Sequence, residues 1–463
     1  MDKKIIHTLS KPVYPYLYGI SFILYKISRY PPSFSLEIAI ISFSFFCIIT
    51  FLLKILYRKV FKMKMAGIGI VLLWASLLHV TGLAQLFGYA YSYIPLSFYI
   101  LFYLSVPLIL FFVHRVLNKL PEQIEPNLNR VAGIFFLAIS CIFLINTILN
   151  RDWRKDEANL HKPFITLHKD TSRQKDILWI LLDEYASSGS LQAQFGFHNP
   201  LDSVLLKKGF TILENTRSRF NNTLFSLNSI LNDDDSLYPS TIYSGVRVLK
   251  KATWVGALEK SGYEFINLSF FDISSQAKLD DRSGYPYTFS QQLFSGTIFT
   301  ILLGKKKYTM AGCDAYNQFV FGKLETTLAL KSAKPRFIWA HLGIPHEPFC
   351  RDRYGKLIKD TNKSGNDSIH IKNAYIEYVQ YANLLINDLI RKHPDVLKKI
   401  VIISGDHGPR YPFLQNKEYQ YWPFAALLMP PGFDTAQLHS LKYISQIPDQ
   451  IDAYLNGQKT IKY

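Results

Sequence analysis

The residues with chemical potential stand at the ends of apolar runs. Lys399 to Arg410 reads KIVIISGDHGPR, so Asp406 and His407 follow a β-branched stretch and are flanked by Gly405 and Gly408. Asp176 to Leu182 is a second apolar run, and it ends at Asp183 and Glu184. A third, Pro335 to Ala340, ends in His341-Leu342-Gly343-Ile344-Pro345-His346-Glu347-Pro348-Phe349. A carboxylate beside an imidazole at the C-terminal end of a buried strand is where open α/β sheets place their chemistry. Acidic groups there suit a metal ligand. Asn221-Asn222-Thr223 precedes Leu224, Leu227 and Leu231, which share one helical face. Thr223 at that helix start is either a cap or a nucleophilic hydroxyl where the helix N-terminus favours a phosphate. Taken singly, Asp183, His341 and the Asp406-His407 pair also fit solvated turns or packed polar side chains.

The elements that must position these residues are legible from periodicity. Ile177–Leu182, Pro335–Ala340 and Ile400–Ile403 read as strands buried on both faces. Gly209–Leu213, Phe265–Leu268 and Trp422–Met429 read as further strands. Val248–Ser261, with Gly262 placed to end it, and Ile371–His393 read as helices. His341 and His346 stand five apart around Pro345, so they do not share a helix face, and the stretch reads as a loop. Asp233-Asp234-Asp235 reads as a solvated loop, and Tyr285–Cys313 carries no assignable motif. Strands alternating with helices give a central, mostly parallel sheet. Asp183, His341, His346, Asp406, His407 and Thr223 would then converge on one edge of it.

The 463 residues are 49% hydrophobic, 15% aromatic and only 19% charged, and the apolar excess sits in the first third. That third reads as an α-helical transmembrane bundle of about five spans, near 13–27, 36–53, 65–90, 95–113 and 131–149. Lys54, Arg58, Lys59, Lys62 and Lys64 mark one loop as cytoplasmic, and Arg115, Lys119 and Arg130 mark another. Lys3 and Lys4 suit a cytoplasmic N-terminus, and the uncharged YAYSYIP suits the outer face. Five spans deliver everything after Asn150 to the outside. If the first segment only lies in the interface, the N-terminus moves out and the downstream side is unchanged. The net charge of +17 is explained by membrane topology and anionic head groups, and no basic, aromatic-interleaved nucleic-acid motif is present. The expected organisation is a transmembrane domain at 1–150, a juxtamembrane linker at 151–175 and an extracytoplasmic domain at 176–463. Cys47 and Cys141 lie in spans and read as packing residues. Cys313 and Cys350 lie downstream, where an oxidising compartment would let them pair.

The ordered set LLDEY, NNTLFSLNSILN, HLGIPHEPF and SGDHGPR resembles the alkaline phosphatase superfamily. The resemblance is to its membrane-anchored, sulfatase-like branch, the phosphoethanolamine transferases and lipoteichoic acid synthases. It covers nearly the whole chain and implies an α/β sulfatase-like domain outside the bacterial inner membrane. By resemblance Asp183, Thr223, Asp406 and His407 match the metal site, and Thr223 matches the nucleophile. The relatives carry Glu where this chain has Asp183, and the adjacent Glu184 keeps that ligand position open. His346 matches the histidine near the transferred phosphate, with Asn222 and His341 as weaker substrate-binding matches.

Two departures narrow the chemistry. Sulfatases need a Cys or Ser in C/S-x-P-x-R, whereas Thr223 is followed by Leu224-Phe225-Ser226, which argues against sulfate ester hydrolysis. HLGIPHEPF lacks the further Asp of a two-zinc site, so one divalent metal is expected. Two carboxylates, an imidazole and an alkoxide suit Zn²⁺ or Mn²⁺ better than Ca²⁺. The expected function is transfer of a phosphoethanolamine or phosphoglycerol group from a membrane phospholipid to an envelope glycan or lipid. A phospho-threonine would be the intermediate. A metal-dependent phosphodiesterase or phosphatase is the second reading, and an inactive membrane scaffold the third.

Overall fold

The computed structural model describes residues 11–29, 36–59, 65–86, 96–149, 173–232, 242–279, 293–294, 296–298, 310–358, 368–414 and 416–458. The chain divides into two compact units, Met1–Asp152 with Pro286–Lys305, and Trp153–Tyr285 with Lys306–Tyr463. Asp233–Asp235, the linker residues 151–172, the loop charges Lys62 and Lys64, Lys3, Lys4, YAYSYIP and most of Tyr285–Cys313 lie outside the described residues.

The first unit is helical: α1 Tyr14–Arg29, α2 Leu36–Lys59, α3 Ala66–Leu78, α4 Val80–Leu86, α5 Leu96–Asn118 and α6 Glu125–Leu149. Among the described residues, three stretches are long and apolar enough to cross a membrane: Leu36–Lys59, Phe98–Asn118 and Glu122–Leu149. This differs from five full spans in two places. The first helix has 16 residues, and the third span is broken at His79 into α3 and α4. Small residues let the helices approach. A Cβ on Gly19 would lie 2.3 Å from the Phe46 ring, and one on Gly67 would lie 2.5 Å from the Tyr14 hydroxyl. Inside the bundle Trp74 stacks on Phe46 at 4.3 Å and donates to Thr50 Oγ1 at 3.0 Å. Ser21 and Ser140 share a hydrogen bond of 2.8 Å, satisfying hydroxyls that have no water in a bilayer. Leu293 is buried in the same cluster, so part of the unassigned 285–313 stretch belongs to this unit. Cys141 is exposed on α6, a correction to its reading as a packing residue.

The second unit is built on a sheet of β1 Ile177–Leu182, β2 Thr211–Ile212, β3 Glu264–Leu268, β4 Arg336–Leu342, β5 Ile400–Gly405 and β6 Ala425–Leu428. Its helices are α7 Ser188–Phe195, α8 Pro200–Lys207, α9 Thr223–Asn232, α10 Ile242–Leu249, α11 Thr253–Lys260, α12 Met310–Ala329, α13 Ser368–Lys392 and α14 Ile447–Leu455. The strand order is β2-β6-β5-β1-β4-β3. The pairs β5–β1, β1–β4 and β4–β3 are parallel, and β6 is antiparallel to both β5 and β2. Every residue of β1, β4 and β5 is buried, which the continuous apolar runs require. Trp179, Trp254, Phe337 and Trp339 pack with ring centroids 5.1–6.2 Å apart between Trp179–Trp254, Trp179–Trp339 and Trp254–Phe337. Val248–Ser261 is two helices, α10 and α11, and Gly262 follows with φ +104°.

Register is pinned at the N-terminal edge. Asp176 accepts from Arg336 Nη2 at 3.0 Å and from Lys399 Nζ at 2.6 Å, so one carboxylate ties the beginnings of β1, β4 and β5. Its main chain joins in, with Ile400 N–H donating to Asp176 O at 3.0 Å. With the beginnings aligned, the ends align too. Leu182 pairs with Leu342 on one side and Gly405 on the other, so the residues after all three strands emerge side by side.

Candidate metal centre and active site

Asp183 leaves β1 with its N–H donating to Leu342 O at 3.0 Å, and Asp406 leaves β5 in the matching position. Across the gap, α9 begins at Thr223. Its first turn is fixed because Ser226 Oγ bonds Ser218 Oγ at 2.9 Å and Phe220 O at 3.1 Å. Thr223 Oγ1 then donates to Asp183 Oδ1 at 3.3 Å and lies 3.4 Å from His407 Nε2. All four residues are buried. Asp183, Asp406 and His407 each offer a ligand atom, all within 4.8 Å of one another.

These residues fit a divalent cation. Asp406 Oδ1 accepts from the N–H groups of Glu184 at 3.0 Å and His407 at 2.9 Å, while Oδ2 is buried with no hydrogen bond. A buried carboxylate oxygen left over in this way is costly unless a cation takes it. His407 Nδ1 lies 2.8 Å from Gly408 O, which orients the ring with Nε2 toward Thr223 Oγ1 and Asp406 Oδ2, 3.4 and 3.3 Å away. Burial and the nearby Asp406 carboxylate push Asp183 upward. Burial also works against ionised Asp406, but His407 and the Glu184 N–H outweigh it and hold that group low. Such crowding of carboxylates is what a bound cation relieves.

The glycines of SGDHGPR are explained by close approach. A Cβ on Gly405 would lie 2.4 Å from Tyr185 O, and one on Gly408 would lie 2.2 Å from Tyr419 O. Glu184 has a left-handed backbone at φ 61°, uncommon outside glycine. Tyr375 Oη holds that turn by donating to Glu184 O at 2.7 Å and accepting from Ala186 N–H at 3.1 Å. Beneath it Tyr185 Oη donates to Asn383 Oδ1, and Asn383 Nδ2 donates to Asn199 Oδ1 at 2.9 Å.

His346 stands beside this centre. Its Nε2 lies 3.7 Å from Glu184 Oε1 and 3.4 Å from Arg410 Nη2, while Arg410 Nε donates to Glu184 Oε1 at 2.8 Å. Burial disfavours the charged imidazole, and Glu184 with Asp183 outweighs it, lifting His346 to about 9. A cavity of about 510 Å³ opens here, lined among others by Glu184, His346, Ser368, Arg410, Tyr411 and Phe413. His341 is not in a loop. It is paired with Leu181 inside β4, fully buried, with its ring 4.6 Å from Phe270 and 6.1 Å from Phe271. Its Nε2 lies 3.9 Å from Asp183 Oδ2, so it forms the floor of the site, and burial lowers it to about 4. Asn222 is half-buried just before α9, and its carbonyl accepts from Ser226 N–H at 2.9 Å, the position of a helix cap.

The structure therefore brings Asp183, Thr223, Asp406 and His407 together, with His346 alongside. Sequence reasoning passed over Arg410, Tyr375 and Asn383. Arg410 was signalled by its place two residues beyond Gly408 in the same motif.

A mostly parallel sheet whose strands end on carboxylates and imidazoles, facing a hydroxyl at a helix start, is the architecture of the alkaline phosphatase superfamily. Within it, the chain belongs to the sulfatase family, whose model, described as Sulfatase, matches residues 186–444. No curated protein matches the sequence. Among solved structures it is similar to the integral membrane lipooligosaccharide phosphoethanolamine transferase A from Neisseria meningitidis. That match covers 100% of this chain and 97% of the other, at 12% identity and TM-score 0.45. The C-terminal periplasmic domain of EcEptC from Escherichia coli, in complex with Zn, matches over 61% of this chain and 82% of its own, at 14% identity and TM-score 0.40. The periplasmic domain of phosphoethanolamine transferase EptC from Campylobacter jejuni matches over 61% and 90%, at 15% identity and TM-score 0.38.

Proposed function

We propose that the protein is a metal-dependent transferase of the bacterial inner membrane with its catalytic domain on the outer side. It moves a phosphoethanolamine or phosphoglycerol group from a phospholipid donor to an envelope glycan or lipid. The observation that carries this is the position of Thr223 Oγ1 at the start of α9, 3.3 Å from Asp183 Oδ1 and 3.4 Å from His407 Nε2. Asp183, Asp406, His407 and Thr223 would hold one Zn²⁺ or Mn²⁺. When bound, the ion lowers the hydroxyl pKa and neutralises phosphoryl charge.

The residues of the chain do the rest. Thr223 Oγ1 attacks the phosphorus of the donor phosphodiester, and the bond to the diacylglycerol oxygen breaks. His346 protonates the departing oxygen or hydrogen-bonds the phosphoryl oxygens. Arg410, anchored on Glu184, lines the 510 Å³ cavity where a head group has room. An acceptor hydroxyl then attacks the phosphorus, and Thr223 leaves with a proton. Water as acceptor would make the same site a phosphodiesterase. The absence of C/S-x-P-x-R around Thr223 supports phosphoryl over sulfuryl chemistry.

Two variants test the assignment on vesicles of phosphatidylethanolamine and phosphatidylglycerol. Thr223→Ala is expected to lower diacylglycerol release at least about a thousandfold while metal content by elemental analysis stays near one ion per chain. Asp406→Asn is expected to lose the metal. Diacylglycerol release at the parental rate by Thr223→Ala would sink the nucleophile assignment.

A further inference from the structure

Cys313 lies in the first turns of α12, and Cys350 closes the segment that leaves β4 and carries His346. Both are thiols and both are buried, at 1% and 0% exposure. Three sets of contacts lay the two segments side by side. Asn317, one turn after Cys313, donates from Nδ2 to Cys313 Sγ at 3.5 Å and accepts from Gly343 N–H at 2.7 Å. Asp314 and Arg351, the next residue on each segment, form a two-point ion pair at 2.5 and 2.8 Å. Cys313 Sγ itself donates to Gly343 O at 3.9 Å, and Cys350 Sγ donates to Pro348 O at 3.0 Å.

We propose that Cys313 and Cys350 are a dithiol that closes to a disulfide, stapling α12 to the His346 segment when the protein meets a disulfide-bearing oxidant. The Cys350 thiolate attacks one oxidant sulfur and releases one oxidant thiolate. The Cys313 thiolate then attacks Cys350 Sγ of the mixed disulfide and releases the second. The pair gives up two electrons and two protons, and the oxidant leaves as two thiols. Cys350 suits the first attack. Its pKa is lowered, chiefly by the neighbouring Cys313 and with help from Tyr378, against the effect of burial. Because both sulfurs are buried, exchange takes place before folding is complete or when the segment opens. The bond would limit how far His346 can move from Glu184. Its presence in the cell rests on the outer-face reading above, whereas the pairing itself does not.

The test uses the full-length chain. One sample is refolded with reduced and oxidised glutathione; the other is taken from cells by acid quench and alkylated at once. Both are mapped by peptide mass without reduction. The expected product is a Cys313–Cys350 linked peptide pair, two hydrogen masses below the sum of its parts and split by dithiothreitol, with Cys47 and Cys141 alkylated throughout. The unfolding temperature of the refolded protein should drop by several degrees on dithiothreitol, and that drop should vanish in the Cys313→Ser/Cys350→Ser variant. Both thiols alkylated or separately glutathionylated after refolding would overturn the proposal. So would a dithiothreitol-dependent drop that persists in the double variant. A link in the refolded sample with two thiols in the quenched one would uphold the pairing and overturn the outer-face reading instead.

Discussion

Asp406 shows how one side chain is divided between structure and chemistry. Oδ1 is consumed by two backbone N–H groups, and Oδ2 is left for a ligand. Asp452 is the contrasting buried carboxyl. It sits on α14, accepts from Trp254 Nε1 at 3.0 Å, and burial pushes it up to about 7. The unfolded chain releases that proton near the ordinary carboxyl value of about 4. Between about pH 4 and 7 the folded state therefore holds a proton that the unfolded state lacks, so stability falls as pH rises and levels off above 7. Asp452→Asn should remove this slope. Its stability advantage over the parent should grow from pH 4.5 to 7.5, by about 4 kcal/mol at most. Unfolding midpoints of the full-length chain in detergent check this, and a pH-independent difference would contradict it. At this scale Asp183, Thr223, Asp406 and His407 were legible because chemistry-bearing residues follow recognisable strands and a helix start. The position of Arg410 was marked by its motif but its role was not, because an arginine in a glycine-flanked loop looks the same whether solvated or paired with Glu184.

At the scale of elements, the site depends on three strands ending level, and Asp176 aligns their beginnings. Burial opposes its ionisation, but Lys399 and Arg336 hold it below the usual carboxylate range. Asp176→Ala would leave those two cations together, with Arg336 only 5% exposed. A loss of about 3–5 kcal/mol is expected, with Asp176→Asn losing less, both read by thermal unfolding. No change in midpoint for Asp176→Ala would show that the triad does not set register. The strands themselves were legible because runs such as Ile400–Ile403 have no polar face. His341 was misplaced into a loop because a histidine after Trp339 and Ala340 looks like the end of a strand. Phe270 and Phe271, distant in sequence, supply the apolar cover that keeps it inside β4. The break of the third span at His79 was hidden for a similar reason, since both flanks are apolar.

At the scale of the whole molecule, the greasy first third was readable from composition, and the mixed α/β remainder from the alternation of apolar runs with helical periodicity. The number of full spans was not, because hydropathy does not report helix length. The charge pattern around α2 and α6 makes the topology testable. In a chain with its four native cysteines replaced, a cysteine at Lys59 or Lys119 should resist an impermeant maleimide in intact cells, and one at Lys175 or Lys278 should react. Labelling of Lys59 and protection of Lys278 would invert the orientation and remove the outer catalytic domain.

The central claim is that Thr223 carries the transferred group. The most direct measurement is intact and peptide mass of the purified full-length protein after incubation with mixed bacterial phospholipids and a divalent metal, without acceptor. The account predicts a phosphoethanolamine or phosphoglycerol adduct on the peptide containing Thr223, absent in Thr223→Ala and discharged when an acceptor is added. Turnover of phospholipid with the Thr223 peptide unmodified at every time point would contradict it.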